Sequence, residues 1–163
     1  MAEPSAYLLS RSLSQLTGRK VTFVQATAPL DVKIKQIYGI YALLPFETAI
    51  VVKADLPLLG SLAGALVGLP DATVKEHLKV APVDELLRDA INEVLNIVAA
   101  SITTEGRAVF SKMVSETVYI DGAAEQVYKK PDHKSYFNVL VEGYQGGRFS
   151  IFAPFCVGRT VAF

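Results

Sequence analysis

Residues 88 to 96, RDAINEVLN, carry an aspartate, a glutamate and an asparagine in a stretch that is otherwise typical of a buried helix. Asp89, Glu93 and Asn96 are spaced by four and then three residues, which places them on one face of a helix. A carboxylate accepts hydrogen bonds and carries charge, whereas an amide both donates and accepts. Three such groups could act on one target, or they could be the ordinary polar residues of a solvated helix face.

The helix that would carry these residues is predicted over residues 83 to 104. At about 100° per residue, apolar and small side chains fill its core-facing half. They are Leu86, Leu87, Ala90, Ile91, Val94, Leu95, Ile97, Val98, Ser101 and Ile102. Asp89, Glu93, Asn96 and Ala100 fall within about 60° on the exposed side, and these four residues are called the polar patch below. Because the side chain of Ala100 is small, it leaves this end of the patch open to a partner.

The rest of the sequence alternates between helix and strand patterns. Helices are predicted at residues 6–17 and 55–69, with a short helix that Asp71 could cap, and strands at 20–26, 32–44, 47–54, 113–120, 135–143 and 148–155. Residues 121–134 are predicted to be a long polar connection. The order of elements predicts a single α/β (α+β) domain over residues 1–163. Its strands would form an extended, mostly antiparallel sheet with the 55–69 and 83–104 helices packed side by side on one face.

The 55–69 helix combines a start signal with a smooth face. Asp55 is a good N-cap, and Pro57 falls in the first turn. Gly60, Gly64 and Gly68 recur every fourth residue, so another element could pack closely against them. The apolar stretch at residues 56–70 is shorter than the roughly 20 residues that a membrane span requires. The sequence therefore predicts a core helix and no membrane segment.

Charge and cysteine content exclude other function classes. Sixteen Lys and Arg balance sixteen Asp and Glu, and no basic stripe suggests a nucleic-acid partner. The one cysteine, Cys156, cannot form an internal disulfide, and the first residues lack a secretory signal pattern. Both observations predict a reducing, cytoplasmic setting.

Metal and cofactor signals are also missing from the sequence. No carboxylates, histidines or cysteines stand at metal-ligand spacing. His77 and His133 each lack a nucleophile or ligand partner nearby in sequence, which is typical of surface or hydrogen-bonded histidines. We therefore expect no metal site and no cofactor in this chain.

Two segments carry a resemblance to a known family. VDELLRDAINEVLNIVAAS, residues 83 to 101, resembles the signature helix of the CheC/CheX/FliY chemotaxis phosphatases, whose motif is Asp or Ser, three residues, Glu, two residues, Asn. Here the motif reads Asp89, Glu93 and Asn96, and LAGALVGLP at 62 to 70 resembles the segment before that helix. The resemblance implies the CheC-like fold. Because the first helix lacks both Glu and Asn, it also implies one site per chain, as in the CheX branch.

The resemblance implies hydrolysis of an aspartyl phosphate on a CheY-like response regulator, in chemotaxis or related two-component signalling. Asn96 would hold the attacking water in line, and Glu93 would pair with the active-site lysine of the receiver domain. Asp89 and Ala100 would belong to the docking surface, because a third negative group near phosphoryl oxygens would repel them. The Mg²⁺ ion that neutralises the phosphoryl group would be bound by the receiver.

A second function remains open: a receiver-binding adaptor or flagellar-switch-like module with the same fold and no catalysis. Family members usually carry a small residue before the asparagine and a glycine four residues after it, where this chain has Leu95 and Ala100. Leu95 either packs into the core or hinders the close approach of a partner. Retention of the three motif residues favours the enzyme, whereas a hindering Leu95 favours the adaptor.

The resemblance to the CheX branch further implies a homodimer that forms through the sheets. The apolar strands predicted at 135–143 and 148–155 support this expectation, since exposed apolar strands need to be covered.

Overall fold

The computed structural model describes residues 4–27, 33–80, 82–103 and 105–154. Its strands are β1 Val21–Ala26, β2 Gln36–Leu44, β3 Thr48–Asp55, β4 Arg107–Val114, β5 His133–Val141 and β6 Gly147–Ala153. Its α-helices are α1 Pro4–Thr17, α2 Leu56–Val67, α3 Asp71–Leu78, α4 Glu85–Val98 and α5 Gly122–Lys129. The strands form one sheet in the order β1-β5-β6-β3-β2-β4, and every neighbouring pair is antiparallel. The predicted α/β class and antiparallel sheet are confirmed.

One face of the sheet, called the inner face, is covered by α1, α2 and α4. Strand side chains alternate between this face and the other, as a half-buried strand requires. In β5, Phe137 and Val139 are buried against the helices, whereas Asn138 and Leu140 are exposed on the opposite face. The main hydrophobic core therefore lies between the inner face and these three helices.

The two long helices predicted side by side do contact each other on this face, as α2 and α4. The glycine face of α2 meets a different helix. A Cβ atom added at Gly60 would lie 2.7 Å from the Leu78 side chain, and one added at Gly64 would overlap Val74, so α3 packs directly on the α2 backbone. Gly68 does not belong to this contact, because it ends α2 in the left-handed conformation, with φ 81°. The glycine spacing predicted the close contact but not its partner.

The opposite, outer face is partly covered by α5, where the sequence predicted only a polar connection. Ala124 and Val127 of α5 pack against Val51 and Phe152, which point outward from β3 and β6. The prediction was wrong because three apolar residues, Ala124, Val127 and Tyr128, are too weak a helical signal in so short and polar a segment.

Several predicted boundaries also need correction. The strand predicted at 113–120 is wrong: β4 runs from Arg107 to Val114, and Thr117–Tyr119 form a 3-10 turn. The 83–104 helix is α-helical only from Glu85 to Val98, with a 3-10 turn at Ala99–Ser101. The other predicted strands are present with ends shifted by a few residues. The start of the strand prediction at 32, position 104, the end of the last strand prediction at 155, and Cys156 lie outside the described residues.

The two aspartates expected to cap helices do not do so through their side chains. Asp71 is the first residue of α3, whose cap position is Pro70, and it pairs instead with Lys75 at 2.9 Å. Asp55 does occupy the cap position of α2, with Pro57 in the first turn, but its carboxylate does not bond the helix. No helix of the described chain is long and apolar enough to cross a membrane.

Asp55 joins the ends of three adjacent strands. Its carboxylate accepts hydrogen bonds from the Arg148 backbone N–H at 2.8 Å and from the Arg148 guanidinium at 3.3 Å. The Gln36 side-chain amide donates to the same carboxylate. The side chains of Asp55 and Arg148 are only 4% and 24% exposed. This buried pair holds β2, β3 and β6 together at the point where α2 begins.

The Asp55→Ala variant should lose about 3 kcal/mol of unfolding free energy, because it removes a buried carboxylate that accepts hydrogen bonds from the Arg148 backbone, the Arg148 guanidinium and the Gln36 amide. Urea denaturation followed by circular dichroism measures this loss. Glu76→Ala is the matched control, since it breaks a salt bridge to Lys79 whose side chains are 73% and 71% exposed. That change should cost less than about 1 kcal/mol. Equal losses in the two variants would contradict a structural role for the Asp55 pair.

Candidate functional site

The helix that carries the polar patch begins at a formed cap. The Asp84 carboxylate accepts a hydrogen bond from the Leu87 backbone N–H at 2.9 Å, which satisfies one free donor of the first turn of α4. Its second oxygen contacts Nδ1 of His77 in α3. No sequence pattern indicated this pair, because the two residues belong to different helices. The hydrogen bond from Leu87, and then that from His77, lower the pKa of Asp84 below its ordinary value of 3.8.

One side of α4 is buried against the inner face of the sheet. Leu87, Ala90, Ile91, Val94, Leu95 and Val98 are all buried there. Each was predicted to face the core. Their burial fixes both the rotation of the helix and the direction in which its opposite side points.

The Leu95 backbone is tied directly to the sheet. Tyr41 of β2, which is fully buried, donates a hydrogen bond from its hydroxyl to the Leu95 carbonyl at 2.6 Å. Burial raises the pKa of Tyr41, so the hydroxyl stays protonated and can remain a donor. This bond fixes the backbone immediately before Asn96. No sequence pattern could have predicted it, because it joins residues 54 positions apart.

The Leu95 side chain is also fully buried. It lies over Gly39 of β2, where an added Cβ atom would come within 3.3 Å of a Leu95 methyl group. The structure therefore favours the packing alternative for Leu95, because a side chain with no exposed surface cannot hinder a partner. The bulk that distinguishes this chain from the family motif points into the core and away from Asn96.

All four residues of the polar patch are exposed, as predicted. Asp89, Glu93 and Asn96 lie on the regular part of α4, and Ala100 lies in the 3-10 turn that follows. Within the described chain, none of the three polar side chains forms a hydrogen bond or an ion pair. Their donors and acceptors are therefore available to a partner without first breaking an internal contact.

Leu86 departs from its predicted position in the core, because its side chain is 56% exposed. Leu86 and Glu93 are seven positions apart, so on a helix their side chains point in directions that differ by only about 20°. Leu86 therefore borders the polar patch on the surface. It adds an apolar edge to a surface that is otherwise acidic and polar.

The end of α4 is tied to α1. Ser101 is buried, and its hydroxyl lies 3.2 Å from the hydroxyl of Ser12. Ile102 is buried next to it. The patch is thus carried by a helix held at its start by Asp84, in its middle by Tyr41 and at its end by Ser101.

The described residues contain no group of three or more His, Cys, Asp or Glu side chains that could hold a metal ion. His77 is occupied with Asp84, and His133 is exposed at the start of β5.

Solved structures share this architecture. FliY from Thermotoga maritima matches with a TM-score of 0.63 and 14% identity, over 97% of this chain and 88% of that one. The FliM middle domain from H. pylori matches with a TM-score of 0.57 and 13% identity, over 96% and 89%. A chain of the CheX-CheY-BeF3-Mg²⁺ complex from Borrelia burgdorferi matches with a TM-score of 0.52 and 16% identity, over 91% and 92%. No family model matches the sequence, and no curated protein is significantly similar to it.

At these identities the likeness shows the fold. The chain has the fold shared by FliY, the FliM middle domain and CheX, which is the CheC-like fold that the sequence resemblance implied. The matches extend over nearly the whole chain, so the shared fold includes the sheet and the helices that position the patch.

Leu95→Ala should destabilise the protein by about 2–5 kcal/mol, because it opens a cavity under α4. Leu86→Ala, in the same helix but on the surface, should change the free energy of unfolding by no more than about 0.5 kcal/mol. Chemical denaturation of both variants measures the difference. A neutral Leu95→Ala would mean that this side chain does not pack as described.

The Asp84 cap predicts a pH dependence of stability. A carboxylate whose pKa is lowered in the folded state stabilises the protein above its unfolded pKa, and this contribution is lost as the pH falls below 3.8 toward the folded pKa. Asp84→Asn keeps a capping side chain but cannot titrate. Denaturation at a series of pH values from neutral to strongly acidic should therefore show a smaller acid-induced loss in the variant than in the wild type. Parallel pH profiles would exclude the titration of Asp84 as a cause.

Proposed function

We propose that this protein binds CheY-like response regulators in the cytoplasm and hydrolyses their aspartyl phosphate, with the polar patch as its active surface. The observation that carries the proposal is the presence of Asp89, Glu93 and Asn96 side by side on the exposed side of an anchored helix, without internal partners in the described chain. The shared fold supports it, since one structure with this fold holds CheX together with CheY, BeF3 and Mg²⁺.

Asn96 is assigned the catalytic role of positioning water. Phosphoryl transfer passes through a loose transition state, so catalysis depends mainly on alignment and charge balance. The amide of Asn96 offers both a donor and an acceptor, which suits it to hold a water molecule in line with the phosphorus atom. Tyr41 supports this role indirectly, because its hydrogen bond to Leu95 fixes the backbone next to Asn96.

Glu93 is assigned the docking role. Its exposed carboxylate is available to form a charge-assisted contact with the active-site lysine of a CheY-like receiver domain. Asp89 lies one turn earlier and supports the docking surface without touching phosphate, because a further negative charge would repel the phosphoryl oxygens. The small side chain of Ala100 leaves space at the end of the patch, so that the receiver can approach Asn96. The Mg²⁺ ion is supplied by the receiver.

The alternative is a receiver-docking adaptor or flagellar-switch-like module that uses the same surface without catalysis. It is favoured by the likeness to the FliM middle domain, one structure of which is a complex with FliG. Fold alone does not separate the two functions. The exposed asparagine at the third motif position is the feature that favours catalysis, because docking through Glu93 does not require it.

Asn96→Ala should lower the acceleration of receiver dephosphorylation by about a hundredfold, or roughly 3 kcal/mol, while receiver binding stays nearly intact. Water positioning acts on the way to the transition state, whereas a docking salt bridge also holds the ground-state complex. Glu93→Ala should therefore weaken binding by about tenfold and reduce activity as well. Loss of phosphate from a phosphorylated cognate receiver measures catalysis, and calorimetry with a BeF3-treated receiver measures binding.

Asn92→Ala is the matched control, since it removes an asparagine from the same helix outside the patch. It should leave both readouts unchanged, and all three variants should keep the wild-type unfolding free energy within about 1 kcal/mol. Full activity in Asn96→Ala would show that the patch is not catalytic. Binding by the wild type without faster phosphate loss would favour the adaptor.

We also propose that the protein forms a homodimer through the open part of its outer face. The sequence predicted that the last two strands, now β5 and β6, are apolar and need to be covered by a second copy. This reason is wrong for β6, which is paired on both sides and covered on both faces. The open surface lies instead on β1 and β5, where Val24 is 47% and Leu140 is 62% exposed. An exposed apolar surface of this kind suits a second copy of the chain.

Light scattering at micromolar concentration should give the mass of a dimer, and Leu140→Asp should convert it to a monomer because a charge would be placed in the apolar contact. Val118→Asp is the control, since Val118 is 74% exposed and lies away from β1 and β5 in the 3-10 turn. A monomeric wild type, or equal effects of the two changes, would count against this interface.

A further inference from the structure

A cavity of about 260 Å³ lies beside the first half of α4. Ile37 at the start of β2, Leu56 at the start of α2, Ile91 of α4 and Met113 near the end of β4 form its apolar floor. The first three of these side chains are buried, and Met113 is half-buried. The cavity is therefore a formed concavity between several elements of the fold, with floor atoms held by the main core.

The rim of the cavity carries two cations. Lys35 lines it from the segment before β2, and Arg88 lines it from α4. Both residues are exposed, and neither forms an ion pair within the described chain. None of the described residues that line the cavity carries a carboxylate. The charged side chains that line the cavity are thus both positive, although the net charge of the whole chain is zero.

We propose that this cavity binds a small amphipathic carboxylate, with its apolar chain on the floor and its carboxylate between Lys35 and Arg88. An apolar floor with a few polar groups at fixed positions is the usual composition of a small-molecule site. Carboxylate recognition by a guanidinium and an ammonium uses charge-assisted hydrogen bonds, which are stronger than neutral ones. The volume lies just below the range of about 300–1,000 Å³ that drug-sized ligands occupy, so a short acyl or aryl chain fits better than a long lipid.

The position of Lys35 supports a fixed site. Its backbone carbonyl accepts a hydrogen bond from the Leu56 backbone N–H at 2.8 Å, which holds the segment before β2 against the start of α2. A ligand bound here would link that segment to α4 through Arg88, the residue directly before Asp89. The site does not require the proposed phosphatase function, because it uses no residue of the polar patch.

The test uses the full chain labelled with ¹³C at its methionine methyl groups. Of the two methionines in the sequence, Met1 and Met113, Met113 lines the cavity, and a Met113→Leu variant identifies its signal in the spectrum. Octanoate, kept below its micelle concentration, should shift the Met113 signal saturably. Octanol, which has the same chain without the charge, should bind at least about tenfold more weakly.

The double variant Lys35→Gln/Arg88→Gln should also bind octanoate about tenfold more weakly, because both rim cations are lost. Lys20→Gln/Lys134→Gln is the matched control, since it removes two exposed cations that do not line the cavity. Its affinity for octanoate should equal that of the wild type. The proposal would be overturned by an absent or unsaturable Met113 shift, by equal affinities for octanoate and octanol, or by unchanged octanoate affinity in the rim variant.

Discussion

The burial of one side of α4 against the sheet sets the direction in which the polar patch points. Leu95 and its neighbours fix the rotation of the helix, because turning it would expose apolar side chains that are now buried. The Tyr41 hydroxyl adds a directional contact to this nonspecific burial, since it binds one particular carbonyl of the helix. Sliding or rotation of α4 would break that bond inside the core, where an unsatisfied hydroxyl is costly. The direction of Asn96 is thus set by atoms on the opposite side of the same helix.

This arrangement separates stability from function within a single helix. The buried side of α4 supplies the packing, so its exposed side can carry polar side chains that form no hydrogen bond or ion pair within the described chain and remain available to a partner. The two carboxylates of the patch form no ion pair within the described chain, which favours a partner that brings positive charge. Such a surface suits the approach of a lysine and of a Mg²⁺ ion bound to the partner. The amide of Asn96 is uncharged, so it would not repel phosphate.

The sequence predicts which side of α4 is exposed better than it predicts the shorter elements around that helix. Helical periodicity placed Asp89, Glu93, Asn96 and Ala100 on the exposed side of α4, because a long and strongly amphipathic helix has a clear pattern. It placed Leu86 wrongly, since a residue at the edge of the apolar side can turn either way. The short helix α5 and the start of β4 were missed, because their patterns are too brief to separate from loops. Contacts between distant positions, such as Tyr41 with Leu95 and Asp55 with Arg148, depend on tertiary packing and leave no local pattern.

The proposed phosphatase function requires that the exposed side of α4 accelerates the loss of phosphate from a receiver domain. The most direct test adds the wild-type protein in catalytic amounts to each phosphorylated receiver domain from the same genome and follows phosphate release over time. At least one receiver should lose its phosphate many times faster than it does alone, with more than one turnover per molecule of this protein. Unchanged decay of every phosphorylated receiver, including those that the protein binds, would rule out the proposed phosphatase activity.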